Sequence, residues 1–204
     1  VICGFAVVFS GLFQQDARTS LLSLAAGLPT WVLISSHFTD MPAAFVNSRG
    51  VIESYELPWL MQIWRRSFGY MLVFFHHIVT LLAAMAILNG MGKPVLPTVN
   101  MLYVFPALGI LLVAGFGFGL FVAVLGARFR DLQHALGMSA GFLMIFTPIL
   151  WRTDQLQTNE WVYQYNPLYY FIRLVRDPLL QLQPPPEVWI GAGIGAAVLF
   201  VLGF

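Results

Sequence analysis

Charge is what this sequence most lacks. Only 9% of its 204 residues are Asp, Glu, Lys or Arg, against roughly 25% in a soluble domain. So thin a polar complement cannot cover a water-facing surface of this size, which excludes a soluble fold. Cysteine is nearly absent as well. Cys3 stands alone, so an intrachain disulfide and a cysteine metal cluster are both excluded. The net charge is +1 and the basic groups are scattered, leaving no stripe to follow phosphates and no case for nucleic acid. Residues 1–13 lack a basic region ahead of an apolar core, so they are expected to be part of a span rather than a signal peptide. A nucleotide loop is missing too: Gly115, Gly117 and Gly119 sit inside an apolar run with no strand before them.

What the sequence has instead is apolar length. Hydrophobic residues make up 59% of it, and a helix crossing the bilayer needs about 20 mainly apolar residues. The reading is an all-α polytopic membrane protein of six transmembrane helices. The spans fall at about residues 1–13, 21–46, 67–88, 99–126, 135–150 and 188–204. The first and last runs stop without polar flanks, so they read as truncated and the sequence as the interior of a longer chain. Between the spans stand a polar segment, 47–66, a compact turn at 89–94, and a long aromatic, proline-rich stretch, 151–187. The middle of that stretch has helical spacing but is too short and too charged to span. It is expected to form one or two short re-entrant helices, which need protein around them to satisfy their ends. The densest charge in the core of the sequence is Arg128-Phe129-Arg130-Asp131-Leu132-Gln133-His134. Hydrocarbon offers no partner to a guanidinium, so the chain is expected to leave the bilayer there and turn back.

Six spans place both chain ends on one side. The basic residues do not choose that side: Arg49, Arg65, Arg66, Arg128 and Arg130 balance Arg18, Lys93, Arg152, Arg173 and Arg176. The acids favour a cytoplasmic position for 47–66 and 128–131, with Glu53, Glu56 and Asp131 set against Asp16, Asp154, Glu160, Asp177 and Glu187. No inverted repeat is visible, which weighs against many secondary-transporter folds.

Ionisable residues inside spans are functional candidates by default, and here they are His37, Asp40, His76 and His77. A membrane-embedded enzyme acting on lipid-linked sugars would draw its chemistry from these four. Interhelical hydrogen bonding is the plainer reading, because imidazole ligands from one helix call for a spacing of four, which His76 and His77 lack. No nucleophile context or metal site is apparent. Gly115 with Gly119, and Gly191 with Gly195, have the spacing that lets helices approach closely in lipid. The aromatic cluster Trp161, Tyr163, Tyr165, Tyr169, Tyr170 and Phe171 is denser than interfacial anchoring requires. Its rings suit either sugar stacking or a membrane-interface belt.

Several motifs in order resemble the ABC-2 type permeases that export polysaccharides, above all the lipopolysaccharide O-antigen branch, over nearly the whole sequence. Arg128-Phe129-Arg130-Asp131-Leu132-Gln133 resembles that family's Arg-Asp turn, and Thr147-Pro148-Ile149-Leu150-Trp151 its end-of-fifth-span motif. Asn166-Pro167-Leu168-Tyr169 and Val175-Arg176-Asp177-Pro178-Leu179-Leu180, followed by Trp189, are similar to its loop before the last span. Leu57-Pro58 and Phe74-Phe75-His76-His77 fit its third-span region.

The resemblance implies a homodimeric permease in the inner membrane of a bacterium, with both chain ends cytoplasmic. Two cytoplasmic ATP-binding-cassette ATPase subunits would join it, and a lipid-linked polysaccharide would pass between the permeases. This chain would bind no cofactor; ATP and magnesium would sit on the partner subunit. Asn47, Arg49, Glu53, Tyr55, Glu56 and Pro58 would couple to the ATPase, and Arg128, Arg130 and Asp131 would mark the cytoplasmic turn. Trp161, Tyr163, Tyr165, Asn166, Tyr169, Tyr170, Arg173, Arg176 and Asp177 would contact or gate the glycan at the outer mouth. The sequence departs from the family pattern at Arg173 and Asp177, whose spacing of four lets them pair locally. Capsular polysaccharide and teichoic-acid exporters of the same fold remain alternatives.

Overall fold

The computed structural model describes residues 17–55, 58–90, 98–149, 151 and 161–204. The expected first span, Glu56 and most of the 89–94 turn lie outside the described residues. Every regular element among the described residues is helical.

α1, Ala17–Thr39, runs through Pro29. Its hydroxyls bond back to its own carbonyls, Thr30 to Ala26 and Ser36 to Val32, as polar side chains do where water is missing. The run expected to continue to residue 46 breaks at Asp40, where a 3-10 turn, Met41–Ala43, intervenes with Pro42 near its start. Proline has no N–H to continue the ladder and disfavours helical geometry in the residue before it. α2, Ala44–Tyr55, buries only Ala44 and Ser48.

α3, Trp59–Gly90, has 32 residues and is about 48 Å long. It begins well before residue 67 and takes Arg65 and Arg66 into its first turns. Ser67, Phe74, Leu81 and Leu88 form one buried stripe at heptad spacing, while Phe68, Leu72, Phe75, Val79 and Leu82 stand exposed on other faces. An exposed apolar face of this length is suited to lipid. After a 3-10 turn, Val99–Tyr103, comes the central helix α4, Val104–Arg128. The turn that follows leads into α5, Leu132–Phe146.

α5 has 15 residues, about 22 Å, and falls short of the roughly 30 Å hydrocarbon core. Thr147 is extended, as the residue before a proline should be. The short helices α6, Trp161–Gln164, and α7, Pro167–Leu179, lie against this side of the bundle before α8, Pro186–Gly203. Among the described residues, four helical runs are long and apolar enough to cross a membrane: Leu21–Tyr55, Trp59–Gly90, Val99–Arg128 and Pro186–Gly203.

α1, α3, α4, α7 and α8 share the main apolar core, with Leu33, Phe74, Leu108, Val175 and Ala192 among its members. Among the described residues α4 and α8 make the most extensive helix pair. Its close approach rests on Gly117 and Gly203, not on the glycine pairs singled out by spacing: a Cβ on Gly117 would meet the α8 backbone at Leu199 and Phe200, and one on Gly203 would meet Gly117. Gly115 makes room for His37 and Gly119 for Met41, while Gly191 and Gly195 face Tyr170 and Phe171. The spacing correctly signals close packing, but it does not say which neighbour each glycine admits.

Candidate functional site

The two ends of the bundle differ in chemistry. At one end, α2 projects its polar side: Asn47, Arg49, Glu53 and Tyr55 are all exposed, as is Pro58 just before α3. Arg49 donates from Nε to Glu53 at 2.7 Å, a solvated pair that orders the helix face and contributes little to stability. Arg128, Arg130 and Asp131 are exposed at this same end, because the last turn of α4 packs Gly126 directly on the Pro42 backbone. Gln133 also donates to the Thr39 carbonyl at 3.2 Å. Asp131 caps α5 by position only, without a side-chain capping hydrogen bond.

Beneath α2 lies a polar seam that the sequence reading did not single out. Gln62, Arg66 and Tyr70 recur at helical spacing on α3, beside Ser67. Gln62 and Ser67 are buried with side-chain oxygens that find no hydrogen-bond partner among the described residues. Arg66 reaches Ser48 of α2 at 3.5 Å, long for a hydrogen bond, and the Tyr70 hydroxyl stands near both Asp40 and Arg66. The Tyr70 and His37 rings meet edge to face at 5.0 Å, and Phe45 of α2 meets Trp59 of α3 in the same manner at 5.6 Å. The spacing of four at 62, 66 and 70 was a legible signal for a polar helix face. The seam therefore ties α2 to α3 and to the end of α1.

His37 and Asp40 do not share one helical face, since Asp40 lies beyond the end of α1. His76 is exposed, and His77 Nδ1 lies 2.9 Å from the Val73 carbonyl of its own helix. Among the described residues no three His, Cys, Asp or Glu side chains form a metal-holding group.

The opposite side of the bundle is built on α7. Asn166 caps it, its side-chain oxygen accepting from the Leu168 N–H at 3.0 Å, with Pro167 pre-set for the first turn. The Asn166 amide also donates to the Thr147 hydroxyl at 3.0 Å, which joins the start of α7 to the end of α5. Asn166→Ala is expected to lower stability by about 1–2 kcal/mol, read as the midpoint of thermal unfolding. An unchanged midpoint would show that neither bond holds the junction. At the other end Gln181 adopts φ 67°. Leu182 and Gln181 donate to the Asp177 and Pro178 carbonyls, a Schellman closure that usually employs glycine. Asn100 holds the Gln181 carbonyl at 3.0 Å, which offsets the strain.

Between these caps, Arg173 donates to Asp177 at 2.8 Å and to the Tyr169 hydroxyl at 2.8 Å. Arg176, buried, donates to the Pro148 carbonyl. Burial pushes the Asp177 carboxyl above its ordinary value, while Arg173 and Arg176 pull against that rise. The aromatic residues are mostly committed to one another. Tyr163 and Tyr169 are buried with ring centroids 5.0 Å apart, and Tyr170 donates to the Gln164 carbonyl. Tyr165 is 85% exposed, so of the tyrosines expected to meet a glycan it offers the most open ring. Trp161 begins α6.

The arrangement therefore has an exposed charged helix at one end, spans bridged by a buried polar seam, and short helices packed into the far side. Residues 1–180 match the family described as ABC-2 type transporter. No curated protein matches the chain. The match covers most of the chain and agrees with its apolar helices, so the protein is a multi-pass membrane permease of the kind that works with an ABC ATPase, and it belongs to the ABC-2 type transporter family.

Proposed function

We propose that this chain is the permease subunit of an ATP-driven exporter of lipid-linked polysaccharide of the O-antigen class. The observation that carries the coupling half of this reading is α2, an exposed helix with charged residues tied into the bundle through Phe45–Trp59, Ser48–Arg66 and Pro42–Gly126. A push on α2 meets direct packing contacts with α3 and, through Pro42, with α4. The substrate half is supported by the ordered motifs from Arg128 to Trp189. In this reading two copies pair, each with an ATPase subunit that carries ATP and magnesium. α2 and the Arg128–Asp131 turn face the cytoplasm of a bacterial cell, and both chain ends lie on that side of the inner membrane. Tyr165 and Tyr170 border the outer mouth, while Tyr163, Asn166, Tyr169, Arg173, Arg176 and Asp177 shape it from within.

Charge reversal on α2 tests the reading. The double variant Glu53→Arg, Glu56→Arg is expected to weaken ATPase co-purification about tenfold, roughly 1.4 kcal/mol, with membrane insertion unchanged. Proteoliposomes holding the unmodified permease and its ATPase should translocate a lipid-linked O-antigen glycan on addition of ATP, and the variant should not. Normal association and export in the variant would sink the coupling assignment. An active complex that leaves the glycan in place would sink the substrate assignment alone.

A further inference from the structure

Arg66 stands where α3 meets both α2 and the end of α1, and acceptors from all three compete for it. Toward α2 its Nη2 reaches the Ser48 hydroxyl at 3.5 Å, beyond the usual length of such a bond. Its Nε is buried and finds no partner among the described residues. One turn back on α3, Gln62 Oε1 is equally buried and unmade, and side chains four apart on a helix lie within reach of each other. Toward α1 the Tyr70 hydroxyl lies close to both Arg66 and Asp40, yet it too finds no hydrogen-bond partner among the described residues. Asp40 is exposed just past the end of α1 and enters no ion pair among them. The guanidinium carries five donors in a fixed fork, and a buried donor or acceptor left unmade costs free energy. A carboxylate forms a hydrogen bond with arginine roughly twice as strong as a neutral partner does. The Ser48 contact is therefore the weakest use of Arg66 that its surroundings offer.

We propose that Arg66 is a two-position switch that sets whether α2 is docked on α3. In the docked position, which the structure shows, Arg66 holds Ser48 and α2 lies against α3. In the released position the guanidinium turns to the Asp40 carboxylate and the Gln62 amide oxygen, and α2 is free to swing. Each position leaves something unmade. Docking leaves Arg66 Nε and Gln62 Oε1 without partners, while release gives up the Ser48 bond and the packing of Phe45 on Trp59. Losses on both sides bring the two positions close in free energy, so a modest push can shift the population. The turn at Met41–Ala43 stays seated on Gly126, so α2 pivots there rather than detaching. The switch follows from the acceptors around Arg66. Only the source of the push rests on the reading of α2 as the segment that the ATPase engages.

Hydrogen–deuterium exchange over residues 44–55, in the permease–ATPase complex in nanodiscs without nucleotide, reads how often α2 is released. Ser48→Ala removes the docked partner and is expected to speed that exchange about 3- to 10-fold, the scale of one hydrogen bond. The higher helix propensity of alanine works against this acceleration, so propensity cannot mimic it. Asp40→Asn weakens the released position and is expected to slow exchange by a similar factor. Both effects should vanish in an Arg66→Gln background, which a merely structural role for Ser48 or Asp40 would not produce. Exchange in α8 should stay unchanged throughout, as the control for folding. The signs of the two single variants decide the matter even where Arg66→Gln does not assemble. ADP–vanadate trapped on the ATPase should change exchange over residues 44–55 in the unmodified complex. Opposed effects of the two variants without any response to nucleotide would keep the switch and sink the coupling reading alone. Effects of one sign, no effect in either variant, or effects that persist with Arg66→Gln would each overturn the switch.

Discussion

Gly126→Ala is expected to destabilise the permease by about 1–3 kcal/mol, the range for forcing a methyl into a closed contact. The added Cβ would stand on the carbonyl carbon and oxygen of Pro42, and this obstacle is backbone rather than a movable side-chain tip. Pro42 belongs to the 3-10 turn that separates α1 from α2. Relief would require α4 and that turn to move apart, together with the seat of α2. Loss of ATP-driven transport is therefore expected alongside the loss of stability. Gly137→Ala on α5 is the matched control, since nothing lies within 4 Å of its Cβ. There the helix propensity of alanine should add stability, up to about 1 kcal/mol. Thermal unfolding of the two purified variants decides the matter. Equal midpoints would mean that α4 and the turn are not held together at Gly126.

Arg176→Met is expected to cost about 3–5 kcal/mol, the scale of breaking a buried charged interaction from one side. Arg176 has 7% of its surface exposed. Its stem passes over Gly27 of α1, and its head bonds the Pro148 carbonyl just beyond α5. Methionine keeps much of the stem's packing but leaves that carbonyl and the neighbouring Asp177 carboxylate with less compensation. Arg173→Met should be milder, because the Arg173 side chain is 35% exposed and Asp177 would retain Arg176. The readout is the fraction of monodisperse protein remaining after a heat step. Arg176→Met surviving as well as the unmodified protein would remove Arg176 as the fastener of α7.

The i, i+4 spacing of Arg173 and Asp177 was legible, and the ion pair forms at 2.8 Å. Asn166-Pro167 as a helix start was legible for a similar reason, since cap and first-turn chemistry act within four residues. What could not be read there was depth. Arg176 and Asp177 look like mouth residues in a charged stretch, yet both are buried, because α7 packs among α1, α4 and α8. The same limit applies at the other end. Arg65 and Arg66 read as part of a polar segment, yet they belong to α3, since a helix that outruns the bilayer can carry charge in its first turns. The break at Asp40 was missed because one proline in an apolar run does not announce whether a helix stops, as at Pro42, or continues, as at Pro29.

By itself the sequence determined the solvent and the local grammar. Scarce charge and long apolar runs dictate a membrane helical protein, prolines and Asn166 set helix ends, and the 128–134 island sets a turn. These depend on composition and on contacts within a turn or two of the chain. Tertiary structure alone decided which glycine admits which neighbour, that Gln62, Arg66 and Tyr70 form a seam under α2, and that His37 packs against Gly115 beside an apolar cavity. Those features arise where faces of helices distant in sequence meet, and periodicity identifies a face without naming its partner.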